Sequence, residues 1–262
     1  MVSSSRSMEK RKYTVRKPAP QQSQADIVFG TQSVLETIRA GKEIEKLLVQ
    51  REISFSEVEK LARETGIPFQ RVPLEKLNRV TRKNHQGVIA FVSPIRYMPL
   101  HNVLAQVFEE GKTPLFLLLD RITDVRNFGA IARTAECAGV QAIIVPTKGG
   151  AQINSDAMKT SSGALNFMPV CREPNLSETL TYLRNSGLQI VACTEKTEKS
   201  LYDIDFSAPT VIIMGSEEDG ISKEFLQLAD SAARIPLNGQ VESLNVSAAC
   251  SIVLFEAVRQ RI

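Results

Sequence analysis

The sequence predicts an α/β fold with a parallel sheet in its C-terminal part and a smaller α/β unit in front. Three observations predict it. Apolar runs at 115–119, 142–145, 189–192, 211–214 and 234–237 are too short for helices and apolar on both faces, as buried parallel strands are. Helical periodicity separates these runs, at 128–138, 177–185, 222–229 and 246–260. Strands and helices that alternate over short connections imply parallel strands covered on both sides. Finally, 262 residues suit one large domain or two small ones.

Taken in chain order, residues 1–24 hold six basic residues and one acid and end in Pro/Gln-rich sequence. With so few apolar residues they read as a flexible basic tail. An organellar transit segment is the alternative, opposed by the lack of an amphipathic apolar face. A compact unit follows over 25–93. It has helices at 31–40 and 56–65, stopped by Gly41 and Gly66, and strands at 46–49, 69–72 and 88–92. Ser93-Pro94 and Met98-Pro99 close it, and a linker with a helical stretch runs over 94–112. The second unit occupies 113–262.

The net charge of +3 is misleading, because its parts differ. The tail carries +5, residues 25–93 carry eleven basic residues against nine acids, and 94–262 carries fifteen against nineteen. A basic front thus precedes an acidic back, and capture of a polyanion falls to the front. In the back, Arg121, Arg126 and Arg133 are the basic groups in or beside one loop. Cys137, Cys171, Cys193 and Cys250 are widely spaced in apolar sequence, with no CxxC pair and only two histidines. They read as buried, reduced thiols, and zinc spacing is absent. No 18-residue apolar run and no signal-peptide core is present, so a cytoplasmic protein without a membrane anchor is expected.

Familiar catalytic signatures are missing: no GxxxxGK[ST], no GxSxG and no GxGxxG after a strand. Three loops at strand ends carry the remaining chemistry, where ligands gather in parallel sheets. The first is 120–129, with Asn127 as a helix cap and Arg133 as the one charged residue in the following two helical turns. In the second, 215–222, Gly215 permits close backbone approach, an acidic cluster disfavours phosphate, and Ser222 caps a helix. The third, 234–247, runs from a strand through Asn238-Gly239 to the final helix, capped by Ser243 or Asn245.

Together the segments NFGAIARTA (127–135), IMGSEEDGIS (213–222) and RIPLNGQVESLNVSAA (234–249) resemble, in order and spacing, the three motifs of the SpoU family. These are the TrmH-type RNA 2′-O-ribose methyltransferases of the SPOUT superfamily. FGTQSVLETI (29–38) and NHQGVIA (84–90) resemble the L30e-like RNA substrate-binding domain of many members.

The resemblance implies a trefoil-knotted methyltransferase domain over 113–262 and an L30e-like domain over 25–93. It implies S-adenosylmethionine as cofactor, held at Thr194, Gly215, Ile235 and Leu244, and no metal. Catalytic positions carried over are Arg133, Asn127, Glu217, Ser243 and Asn245. Family precedent makes Arg133 the general base. A guanidinium normally stays protonated, so stabilising the developing alkoxide is the more physical role, and Glu217 is the second choice for the base. A homodimer with sites at the subunit contact is implied, to which the final helix contributes unless it serves only the core. The two-domain arrangement resembles the enzymes that methylate a guanosine ribose of bacterial 23S rRNA. A tRNA guanosine methyltransferase, a thiostrepton-resistance-type enzyme, an organellar homologue and a non-enzymatic L30e-like RNA-binding protein stay open as alternatives.

Overall fold

The computed structural model describes residues 27–241 and 243–262; the predicted basic tail at 1–24 lies outside them. Strands β1 (Ile27–Phe29), β2 (Ile44–Gln50), β3 (Phe69–Val72) and β4 (Val88–Val92) form a sheet of order β1-β4-β2-β3. Period-two alternation sorts its side chains. Leu47, Val49, Val88 and Ala90 face helices α1 (Thr31–Arg39) and α2 (Ser56–Glu64), which bury Val34, Leu35, Ile38, Val58 and Ala62 there. Leu48, Val72, Ile89 and Phe91 face the other way, under one short helix, α3 (Leu74–Val80). The sequence reading missed β1, three residues long, and α3, too short to show two turns of periodicity.

Helix α4 (Leu100–Glu109) follows, then a second sheet. Its strands are β5 (Leu115–Leu119), β6 (Ala142–Pro146), β7 (Val170–Glu173), β8 (Gln189–Cys193), β9 (Thr210–Met214) and β10 (Ser231–Ala233), in the order β10-β8-β9-β5-β6-β7. Every pairing is parallel. One face is covered by α5 (Val125–Cys137), α6 (Ser155–Thr160) and α9 (Val246–Arg261), the other by α4, α7 (Leu176–Asn185) and α8 (Lys223–Leu228). Two-sided cover explains why Leu115–Leu119 is apolar without alternation. The predicted connector helix α4 buries Leu100, Val103, Leu104 and Val107 in the same cluster as Phe116 and Leu118.

Three sequence expectations are corrected here. The strand expected at 234–237 lies earlier, at Ser231–Ala233, paired to β8. The alanines there fit the edge of the sheet, whereas Pro236 has no N–H for a ladder. Strand β7 and helix α6 were missed because each is short, and Pro169 interrupts the apolar run before β7. Of the four free thiols, Cys171 and Cys250 are buried and Cys193 half-buried. Cys137 is exposed, because the last turn of α5 turns it to solvent.

The two sheets meet at a built contact. Met98 N–H donates to Val170 O at 2.9 Å. The Tyr97 hydroxyl donates to the Glu45 carboxylate. The Arg172 guanidinium lies over the Tyr97 ring at 4.2 Å and pairs with Glu45 at 3.5 Å. Burial raises the Glu45 carboxyl above its usual range, against the lowering effects of Tyr97 and Arg172.

Candidate active site

Parallel registration brings the carboxyl ends of β5, β9 and β8 side by side, since Met214 aligns with both Leu119 and Cys193. The first two motif loops leave from β5 and β9, and the third from β10, which pairs with β8. Between the second and third loops and the end of β8 lies a cavity of about 520 Å³, lined by Thr194, Gly215, Glu217, Ile235, Ser243, Leu244 and Asn245, among others. All four residues expected to hold a cofactor therefore share one cavity with three of the five expected catalytic residues. Thr194 is buried, and its N–H donates to Ala233 O at 2.9 Å.

Gly215 is dictated by space. A Cβ there would stand 2.2 Å from Gly220 C and 2.3 Å from Ile221 N. The loop folds back on itself at this point, with Ser216 N–H to Gly220 O at 3.2 Å and Gly220 N–H to Ser216 O at 3.0 Å. Supports the sequence reading missed hold it down. Buried Asp120, at the end of β5, accepts from the Ser222 N–H and hydroxyl, each at 2.7 Å. Ser222 thus does not cap α8 with its side chain as expected; its oxygen is engaged by Asp120 instead. Arg121, one of the basic groups in or beside the first loop, is committed to this second loop. It pairs with Asp120 at 3.1 Å and Asp219 at 2.9 Å and donates to Gly220 O at 3.1 Å. Those bonds hold it at φ 57°, a left-handed conformation costing roughly 1–2 kcal/mol for a residue with a Cβ. The available signal was an acid-base pair directly after a buried strand.

Asn127 is not the helix cap. Asp124 caps α5 one turn earlier, accepting from Arg126 N–H and Asn127 N–H, each at 2.8 Å. The Asn127 side chain, freed from capping, reaches across to the second motif. Its Nδ2 donates to Glu217 Oε1 at 2.5 Å. Asn245 Nδ2 donates to the same oxygen at 3.0 Å and to Asn127 Oδ1 at 3.1 Å. Asn245 Oδ1 meanwhile caps α9, accepting from Ser247 N–H at 2.9 Å. Both jobs need an amide, which donates and accepts at once; a carboxylate at 245 would repel Glu217. The three motifs are thus tied at one point on the cavity rim.

Arg133 is the exception. It lies six residues beyond Asn127, about 120° around the helix, exposed and outside the cavity lining. Acidic groups outnumber the one cation, Lys196, in the cavity lining. Glu217, Glu218 and Asp219 crowd one side, which suits a cationic ligand better than a phosphate. Burial pushes the Cys193 thiol up to about 12, so no thiolate is available there near neutral pH. A second hollow of about 270 Å³ lies across the 216–219 loop, lined by Arg121, Thr123, Asp124, Asn127 and Glu217 among others. Among the described residues, no group of three His, Cys, Asp or Glu is placed to hold a metal, and no helix is long and apolar enough to cross a membrane.

Comparison with known proteins gives the class. The profile of the SpoU rRNA methylase family matches residues 114–255, and that for RNA 2′-O ribose methyltransferase substrate binding matches 27–98. The chain is therefore an RNA methyltransferase. It belongs to the SpoU (TrmH) family. It is 40% identical over 196 residues to the 23S rRNA (guanosine-2′-O-)-methyltransferase RlmB of Pseudomonas aeruginosa, covering 74% of this chain and 79% of that one. With RlmB of Xylella fastidiosa it shares 36% over 239 residues, covering 89% and 96%. Among solved structures, it superposes on the SpoU methyltransferase AviRb of Streptomyces viridochromogenes, solved with the cofactor AdoMet. That match has a TM-score of 0.58, 27% identity and 90% coverage of both chains.

Proposed function

We propose that this chain methylates the 2′-hydroxyl of a guanosine ribose in bacterial 23S rRNA, with S-adenosylmethionine held in the cavity formed by the second and third motif loops and the end of β8. The single observation that carries the reading is the joining of Asn127, Glu217 and Asn245 at the rim of that cavity. The residues present fit the cofactor. A volume of about 520 Å³ falls within the range of small-molecule sites. Gly215 lines the cavity and lets the 216–221 loop fold back as its wall, Ile235 and Leu244 supply apolar walls for an adenine, and the acidic side complements a sulfonium charge. When bound, S-adenosylmethionine supplies an electrophilic methyl group on a good leaving group.

The chain's own task is the nucleophile, since a ribose hydroxyl is weak until its proton is drawn away. Asn127 and Asn245 orient Glu217, and Ser243 lines the same cavity for contacts to ribose or base. Arg133 supplies positive charge to the developing alkoxide or the adjacent phosphate. Glu217 as proton acceptor is a second reading, favoured by the two amide donors that fix its carboxylate.

The working unit is a homodimer whose sites lie at the subunit contact. Two features support this. Arg133 stands outside the cavity of its own protomer, and α9 leaves Phe255 51% exposed while packing Cys250, Val253, Leu254 and Ala257 into the core. An L30e-like fold for the first unit and a trefoil knot in the second belong to the same reading. The convergence of Thr194, the 215–220 loop, Ile235, Leu237 and 243–246 on one cavity supports the knot. An enzyme of ribosomal RNA would act in the cytoplasm. Isotope-labelled S-adenosylmethionine incubated with protein-free rRNA or tRNA tests the assignment. Label on a guanosine ribose of 23S rRNA is expected; label on tRNA alone would overturn the rRNA substrate.

A further inference from the structure

The first sheet has one well-covered face and one open one. On the covered side the charges are neutralised in place: Arg39 pairs with Glu57, Lys60 with Glu64, and Arg63 and Arg71 with Glu59. On the open side, α3 and the turn after it (74–83) carry Lys76, Arg79, Arg82 and Lys83 against the single acid Glu75. Lys46 projects from β2 to the same side, over the Phe91 ring at 4.9 Å. Among the described residues, no carboxylate lies within salt-bridge distance of Lys46, Lys76, Arg79 or Arg82, and the last three are exposed. Burial, and then the neighbouring Lys76, push the Lys46 ammonium below its usual range. Like charges gathered without a counterion fit a polyanion.

We propose that this open face, with Lys46, Lys76, Arg79 and Arg82, is an RNA contact of the enzyme that grips the phosphodiester backbone without reading bases. The proposal rests on the RNA methyltransferase reading and assigns it a second surface, away from the cavity. Backbone rather than base recognition follows from the aromatics. Phe91 is buried beneath Lys46, and the Phe29 ring is covered by Lys83 at 5.8 Å, so neither offers a free stacking platform. Each phosphate contact contributes about 0.7–0.9 to the slope of log affinity against log salt.

The test measures binding of the full chain to a short RNA hairpin of arbitrary sequence over a range of salt. Lys76→Gln/Arg79→Gln/Arg82→Gln is compared with a control of equal charge loss on the other side, Arg39→Gln/Lys60→Gln/Arg63→Gln. The first variant should show a slope shallower by about 2–3, and the control the wild-type slope. A wild-type slope in the first variant, an equal drop in both, or no hairpin binding by the wild type would overturn the proposal. So would polyglutamate binding that outcompetes the hairpin on the wild type and is lost in the first variant, since the face would then suit an acidic protein. Methyl transfer to RNA with an unaltered slope removes this surface and leaves the function. Salt-dependent binding through these residues without methyl transfer does the reverse.

Discussion

Replacing Gly215 by Ala adds one methyl group where the chain has no space for it. The added carbon would stand 2.2 Å from Gly220 C, 2.3 Å from Ile221 N and 2.5 Å from Gly220 O. All three are backbone atoms, so no rotamer change relieves the clash. Restoring ordinary contact at about 3.5 Å requires the 216–221 loop to move by about 1.3 Å. That shift breaks into the two Ser216–Gly220 bonds and the Arg121 bond to Gly220 O, and carries Glu217 away from Asn127. Overpacking of this kind costs about 1–3 kcal/mol. Because the moving loop is also a wall of the cavity, the cost falls on the cofactor. Titration calorimetry with S-adenosylmethionine should show affinity weakened about tenfold or more, each factor of ten being about 1.4 kcal/mol. Circular dichroism should show the fold retained. Wild-type affinity in a folded Gly215→Ala protein would refute the assignment of this cavity.

Other consequences follow from the same geometry. Asp124→Ala removes the α5 cap and should lower stability by about 1 kcal/mol in chemical denaturation. It should lower methyl transfer further, because it unsettles Asn127; equal stability with unchanged turnover would count against the cap. Arg172→Ala strips the buried Glu45 of its cation and should cost about 3 kcal/mol at neutral pH. The unfolded chain titrates alike in both proteins, so the penalty opens as pH rises through the raised folded value of Glu45 in the wild type, toward the still higher value it takes without Arg172. Denaturation at several pH values should therefore show wild type and variant converging in acid. Iodoacetamide at pH 8 should modify Cys137 and spare Cys193, whose thiol burial pushes up to about 12; peptide mass spectrometry reads the difference.

Legibility in the sequence followed physical cause. Strands β3, β4 and β5 show their ends because glycine, proline or charge stands at their boundaries: Pro68 and Pro73, Gly87 and Pro94, Pro114 and Asp120. Strand β10 did not, because Ser231–Ala233 is small and barely apolar, while the misleading run next to it contains Pro236. The site residues were legible as motif positions, yet their relations were not. Asp124 and Asn127 are both good capping residues, and only the helix start decides which caps and which is free to reach Glu217. The restraint of the acidic loop by Asp120 and Arg121 joins positions about a hundred residues apart, which no local pattern encodes. The commitment of Arg121 was hidden for the same reason: its partners Asp219 and Gly220 lie on another loop.

The most direct test of the account is ribose-methylation mapping on 23S rRNA with wild type, Arg133→Ala and Arg133→Lys, run beside calorimetry of S-adenosylmethionine. Arg133 lies outside the cavity proposed to hold the cofactor, so both variants should bind the cofactor as the wild type does. Both should lose transfer to the guanosine 2′-hydroxyl, Lys included, because a point charge does not replace the guanidinium fork. Wild-type turnover by folded Arg133→Ala would contradict the mechanism, and the absence of any 2′-O-methylguanosine with the wild-type enzyme would contradict the function.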